Sequence, residues 1–281
     1  DLPNQVYLVA QYSDDLGRSW SRPVRVAGTA ELGGAYGHGD ASLVTNHLNG
    51  DIIGIMTSAG TYGHGFWAST ADQPMLWKTI TSSDGGETWT VPADHTSDLY
   101  GVGSPHPTWK GGFSGSGAAL QKRDGTLVSS FVNREADNSQ NFYFFMSKDG
   151  GQSWYVSGTS GTTSADEPKT LERNNGDLSI FVRANGYNFH NVSSDEGQTW
   201  HYPAETRFSS GISGTACDGE YMVWCSTLEG NPWNIAFETL PNSSRRENVS
   251  ICLSTDEGET FGAPKTICPW GSGYSTAVVL P

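Results

Sequence analysis

An all-β propeller is the fold class this chain predicts, and three observations carry it. An eight-residue pattern, Ser-x-Asp-x-Gly-x-x-aromatic, occurs five times, at residues 13–20, 82–89, 147–154, 193–200 and 254–261. Successive copies start 69, 65, 46 and 61 residues apart, a spread that fits four-stranded blades joined by unequal loops. Gly at 35 residues and Trp at 10, among many Ser, Thr and Asn, describe short strands linked by turns, and no stretch sustains a helical period.

The octet has a physical logic. Its Asp carboxylate can accept N–H bonds from its own tight turn, and its Gly can take the positive φ that such a turn needs. The terminal Trp or Phe then carries a large apolar side chain back under the sheet. Because the turn already uses the carboxylate oxygens, these Asp residues are read as structural clasps and not as catalytic groups.

In chain order, residues 5–10 read as a strand entering the first octet. Residues 39–44 and 51–56 flank His47-Leu48-Asn49-Gly50, an Asn-Gly hairpin signal. Residues 118–120 and 126–131 flank Arg123-Asp124-Gly125, and residues 142–146 lead to the third octet. Residues 168–173 and 178–183 flank Asn174-Asn175-Gly176-Asp177, followed by 187–192 and the fourth octet. Residues 220–226 and 248–253 repeat the plan, and 273–281 read as the first strand of a further hairpin. No linker or low-complexity run divides the chain, so residues 1–281 are read as one domain. Its ends fall in mid-blade, which predicts that the closing strands, about 30 to 50 residues at each end, belong to a longer propeller.

A net charge of -14 with only 16 Lys and Arg argues against nucleic acid or an anionic membrane as partner. No apolar run is long enough to span a membrane. An anionic ligand would have to be held by a few placed arginines. Cys217, Cys225, Cys252 and Cys268 match no zinc spacing and are compatible with one or two disulfides or with buried thiols. Asn191, Asn242 and Asn248 open acceptor sequons. His38 and His64, each between glycines, read as loop residues. Met56, Phe66 and Trp67 could line an apolar pocket or pack in the core, and the Gly115-Ser116-Gly117 turn is compatible with close approach of a substrate.

Glu167 and Arg183 lie equally far on either side of Asn175, the centre of a predicted hairpin turn, which places them across the ladder from one another. Read alone, the pair is a cross-strand salt bridge or part of a site. The repeated octet resembles the Asp box of sialidases and related proteins, and the chain resembles a bacterial-type sialidase, a six-bladed β-propeller with Asp-box (BNR) repeats. Residues 166–178 followed by Phe181-Val182-Arg183 resemble the sialidase segment in which an active-site Glu precedes, by sixteen residues, one of three substrate-binding arginines. Arg246-Glu247-Asn248-Val249-Ser250 resembles the strand bearing the third arginine, with Arg245 as the rival, and Gly273-Tyr274-Ser275-Thr276 resembles the segment of the nucleophilic tyrosine.

The resemblance implies an exo-α-sialidase that hydrolyses terminal α-linked sialic acid from glycoproteins, glycolipids or oligosaccharides. Tyr274 would be the nucleophile, Glu167 its base, Asp1 the acid/base, and Arg183 and Arg246 the clamp for the substrate carboxylate. A phenol approaches an anomeric carbon that bears a carboxylate without like-charge repulsion, but needs a base because its ordinary pKa is near 10. Sialidases are named exceptions to the two-carboxylate rule for glycosidases. Arginine suits the carboxylate through its planar, permanently charged fork. The implied enzyme needs no metal or organic cofactor, acts as a monomer, and is secreted or held at the cell surface or in the periplasm. The first arginine of the family's triad would lie before Asp1. Other readings of the same residues are a trans-sialidase of the same fold, a non-catalytic Asp-box propeller that binds glycan or protein, and a propeller glycosidase for neutral sugars.

Overall fold

The computed structural model describes residues 6–29, 37–59, 65–184, 188–203, 212 and 217–280. Alternating apolar residues along each strand build a succession of sheets. β1 (Leu8–Ala10) pairs with β2 (Val24–Ala27). β3 (His38–Thr45), β4 (Ile52–Ser58), β5 (Leu76–Ser82) and β6 (Ala93–Asp94) form the next sheet. Then come β7 (Gly112–Ser114), β8 (Gly117–Ala118), β9 (Leu120–Gln121), β10 (Leu127–Arg134), β11 (Gln140–Ser147) and β12 (Tyr155–Ser157). β10 and β11 are the centre of this sheet, whereas β8 leaves it to pair in parallel with β3. β13 (Asp166–Glu172), β14 (Leu178–Arg183) and β15 (Asn188–Ser193) make a three-stranded sheet, and β16 (Tyr221–Cys225), β17 (Ile235–Pro241), β18 (Glu247–Ser254) and β19 (Lys265–Gly271) make a four-stranded one. Helix is confined to single turns at Thr96–Leu99 and Thr227–Glu229 among the described residues.

The period of two decides the packing. On β10 and β11, Leu127, Phe131, Tyr143 and Phe145 point toward Trp77, Ile53 and Trp154. Their neighbours Val128, Val132, Phe142, Phe144 and Met146 point the other way, toward Ile180, Val182 and Phe189. Leu171 and Phe181 in turn pack on Tyr221, Ala236 and Leu240, and Val26 and Ala27 pack on Met56 and Ile80. Cores therefore lie between consecutive sheets, the arrangement a propeller uses to bury both faces of each blade.

All five octets close in the same way. In the fourth, the Ser193 hydroxyl donates to Asp195 at 2.8 Å and accepts the Gly197 N–H at 2.7 Å, while Asp195 accepts the N–H and hydroxyl of Thr199 at 2.8 and 2.7 Å. The other copies repeat these bonds through Asp15, Asp84, Asp149 and Asp256. The seventh position, unassigned in the sequence pattern, is thus a Ser or Thr that donates twice to the Asp. Hydrogen bonding holds the Asp15 and Asp84 carboxyls down at about 2. The fourth and fifth positions both take positive φ, for example Glu196 at 57° and Gly197 at 87°.

Several expectations change. Trp154 is buried, but Trp20 is 62 % exposed, because its two-stranded sheet offers too little face to cover an indole. Residues 272–280 form no strand: their polar groups are tied to side chains and loop carbonyls instead of a ladder. His38 is fully buried in β3, not in a loop, and His64 lies outside the described residues. Met56 packs in the core, Phe66 stands edge-on to Phe113, and Trp67 is exposed. All four cysteines are free thiols. Asn191 is buried with its amide donating to the Gly161 and Tyr202 carbonyls, which removes that sequon from reach in the folded chain.

Candidate active site

The site is built on the start of β13, the end of β14, the approach to β18 and the unladdered segment after β19. The expected register of β13 on β14 holds from Glu172 opposite Leu178 to Pro168 opposite Val182, and then slips, so that Asp166 and not Glu167 faces Arg183. Pro168 explains the slip. It brings no N–H to the ladder, and a bulge is where a strand accommodates that loss. Glu167 becomes the extra residue, and two carboxylates instead of one reach the guanidinium. Arg183 Nη1 donates to Glu167 Oε2, and Arg183 Nε lies 3.4 Å from Asp166 Oδ2.

Tyr274 completes the arrangement from more than a hundred residues away. Its hydroxyl donates to Glu167 Oε1 and accepts from Arg183 Nη1 at 3.0 Å. The Arg183 and Arg246 guanidiniums stand 5.9 and 5.4 Å from the centre of its ring, so two cations adjoin the phenol. Glu167 is 5 % exposed and Tyr274 is 49 % exposed: the carboxyl group is buried and the hydroxyl-bearing ring faces outward. Burial, followed by the hydrogen bond and charge of Glu167, pushes the Tyr274 phenol above its ordinary pKa. At neutral pH Tyr274 therefore carries its proton, and its oxygen would have to give that proton up to act as a nucleophile. Arg246 is exposed, as a group meant for a ligand would be, and Asp1 lies outside the described residues.

Two carboxyl groups here escaped the sequence reading. Asp166 was passed over for its neighbour. Asp40 sits at a bulge of β3 with φ at 50°, in a left-handed conformation that turns it out of the strand's alternation. Burial, then the charges of Glu167 and Asp166, pushes its carboxyl up to about 6. A raised carboxyl pKa means the folded state holds the proton more tightly than the unfolded chain, so stability drains away as pH rises from about 4 through about 6. Asp40→Asn is accordingly expected to raise the Tm more at pH 7.5 than at pH 4, a difference that thermal melts at the two pH values would check.

The Gly115-Ser116-Gly117 turn does approach something closely, but it is the protein itself. A Cβ on Gly115 would stand 2.2 Å from the Pro168 carbonyl oxygen, so the turn lies directly against the site strand.

The chain matches the BNR repeat-like domain family over residues 4–280. It is 25 % identical to a sialidase of Micromonospora viridifaciens across its whole length, which is 44 % of that protein. In three dimensions it is similar to a Hadza microbial sialidase, with a TM-score of 0.82 and 21 % identity over 99 % of this chain and 56 % of that one. It also resembles the Trypanosoma rangeli sialidase, with a TM-score of 0.72 and 20 % identity over 95 % of this chain and 45 % of that one. The chain thus spans less than half the length of the Micromonospora relative. With an all-β architecture shared with sialidases, whose fold is a β-propeller, and with that repeat matched from end to end, the chain belongs to the BNR repeat-like domain family, among proteins of the bacterial sialidase type.

Proposed function

We propose that this chain carries the catalytic site of an exo-α-sialidase on a six-bladed propeller, releasing terminal α-linked sialic acid with retention of configuration. The observation that supports it most strongly is the Tyr274 hydroxyl held between the Glu167 carboxylate and the Arg183 guanidinium. A routine rim tyrosine has no need of a buried base beneath it. The arginines would bind the substrate carboxylate by charge-assisted hydrogen bonds.

In the first step the Tyr274 oxygen bonds to the anomeric carbon as its proton passes to Glu167. The glycosidic C–O bond breaks, and the leaving oxygen takes a proton from Asp1. In the second step Asp1, now a carboxylate, removes a proton from water. The water oxygen bonds to the anomeric carbon, the Tyr274–carbon bond breaks, and Glu167 returns the proton to the phenolate. Arg183 Nη1, already on the phenol oxygen, stabilises the charge that oxygen bears as it leaves.

The test is to follow a sialyl-oligosaccharide by NMR during early turnover. Release of the α-anomer of sialic acid before mutarotation is the expected result. The β-anomer appearing first would overturn retention, and no release from any α-sialoside would overturn the enzyme. A sialylated sugar product in place of free sialic acid would make the chain a transferase.

A further inference from the structure

Tyr274 stands on a stretch of chain that forms no ladder, yet its hydroxyl meets Glu167 across 107 residues of sequence. Something else must fix it. Two residues before it, the Ser272 N–H donates to the Arg246 carbonyl at 2.8 Å. After it, the Ser275 N–H donates to the Asp218 carbonyl at 3.2 Å, the Ser275 hydroxyl meets that of Thr239 at 2.9 Å, and the Thr276 hydroxyl donates to Glu220 Oε2 at 2.8 Å. The tyrosine is thus bracketed by ties to residues 218–220 on one side and to the Arg246 strand approach on the other.

The receiving end of these ties is a buried polar cluster behind the site. Glu220 and Asp218 are 1 % and 2 % exposed. Asp218 accepts the Ser116 N–H at 3.0 Å through Oδ2 and faces Lys169 Nζ at 3.5 Å through Oδ1. Lys169, itself 1 % exposed, comes from the same strand as Glu167 and sets its ammonium against the buried Asp218. Gly117 marks the point where these groups converge. A methyl there would stand 2.8 Å from both Glu220 Oε2 and Thr276 Oγ1, and 3.2 Å from Lys169 Nζ. Its absence leaves room for all three.

We propose that Glu220, seated in the Lys169–Asp218 cluster, is a positioning residue that holds the Tyr274 segment through Thr276 and so sets the reach of the phenol onto Glu167. This rests on the catalytic reading above. None of these side chains touches the reacting atoms; they act through Tyr274. The cluster couples the nucleophile's segment to the strand that carries its base, because Lys169 and Glu167 stand two residues apart on β13. A displacement of the phenol by about 1 Å is enough to cost roughly 10²-fold in rate.

Thr276→Val tests it, since it keeps the shape of an exposed residue and removes the one hydroxyl that Glu220 holds. On an aryl α-sialoside the expected result is a kcat lowered roughly 10²-fold with KM nearly unchanged and the Tm as in the wild type, restored by Thr276→Ser. Glu220→Ala should lower kcat comparably, and adding Thr276→Val to it should do nothing more, the mark of two residues acting through one bond. A kcat for Thr276→Val near that of the wild type, or a loss seen only in KM, overturns the proposal. Amide hydrogen exchange over residues 272–280 gives a readout that does not depend on turnover. If the wild type cleaves no sialoside, the functional reading fails, and the tether is decided by exchange alone. Faster exchange confined to that segment in Thr276→Val upholds it, and unchanged exchange overturns it.

Discussion

Tyr274→Phe should reduce the turnover of an aryl α-sialoside by roughly 10³- to 10⁶-fold, the range seen when a nucleophile that works as part of a unit is removed. The substitution deletes one oxygen and leaves a half-exposed ring in place beside Arg183 and Arg246. Affinity for the sialic acid carboxylate is therefore expected to survive, because the guanidiniums that would hold it are untouched. Loss of kcat with retained binding of an unreactive sialic acid analogue, measured by calorimetry, is the outcome that assigns the oxygen to the chemical step. A variant with the wild-type rate would leave the Tyr274–Glu167 contact as a structural hydrogen bond and favour a binding propeller.

The second large effect is expected at Arg183, which in the proposed mechanism serves the substrate and the base together. Arg183→Lys keeps the charge but loses the fork that reaches Glu167 Oε2 and the Tyr274 oxygen from a single nitrogen while placing Nε near Asp166. Each charge-assisted hydrogen bond lost corresponds to about 1.5–3 kcal/mol, so kcat/KM should fall by roughly 10- to 150-fold per bond. Arg183→Ala goes further. The side chains of Arg183 and Glu167 are 16 % and 6 % exposed, so removing the guanidinium strands a carboxylate in a nearly dry place. A stability loss of about 3 kcal/mol is expected, read as a lower urea midpoint at unchanged m-value. Equal stability for the Lys and Ala variants would show that the pair contributes no more than a surface bridge.

The repeat made most of the architecture legible in the sequence, because each octet announces one hairpin end and the turns between octets announce the others. The pairings of β3 with β4, β9 with β10, and β13 with β14 follow directly from Asn-Gly, Asp-Gly and Asn-Gly-Asp turns. What escaped was local. Counting outward from Asn175 puts Glu167 opposite Arg183 only if the ladder is regular, and Pro168 breaks it one residue short of the end. Asp40 could not be found by alternation, because a left-handed residue at a bulge leaves the alternation. Lys169, Asp218 and Glu220 come from different sheets and have no motif in common. They are visible as a cluster only once the sheets are stacked. The resemblance to sialidases directed attention to Glu167, Arg183, Arg246 and Tyr274, and these are the residues the fold brings together.

The octet clasps also bear on the order in which the molecule comes together. Their bonds join residues no more than four apart, as between Asp195 and Thr199, so a clasp can close at almost no cost in loop entropy. The contacts that make the site span far more chain: 16 residues from Arg183 to Glu167, 91 from Arg183 to Tyr274, and 107 from Tyr274 to Glu167. A chain leaving the ribosome from its first residue can shut each hairpin as it emerges, but it cannot seat Tyr274 until all the intervening sheets exist. Local closure makes the scaffold early, and the contact between Tyr274 and Glu167 can form only late.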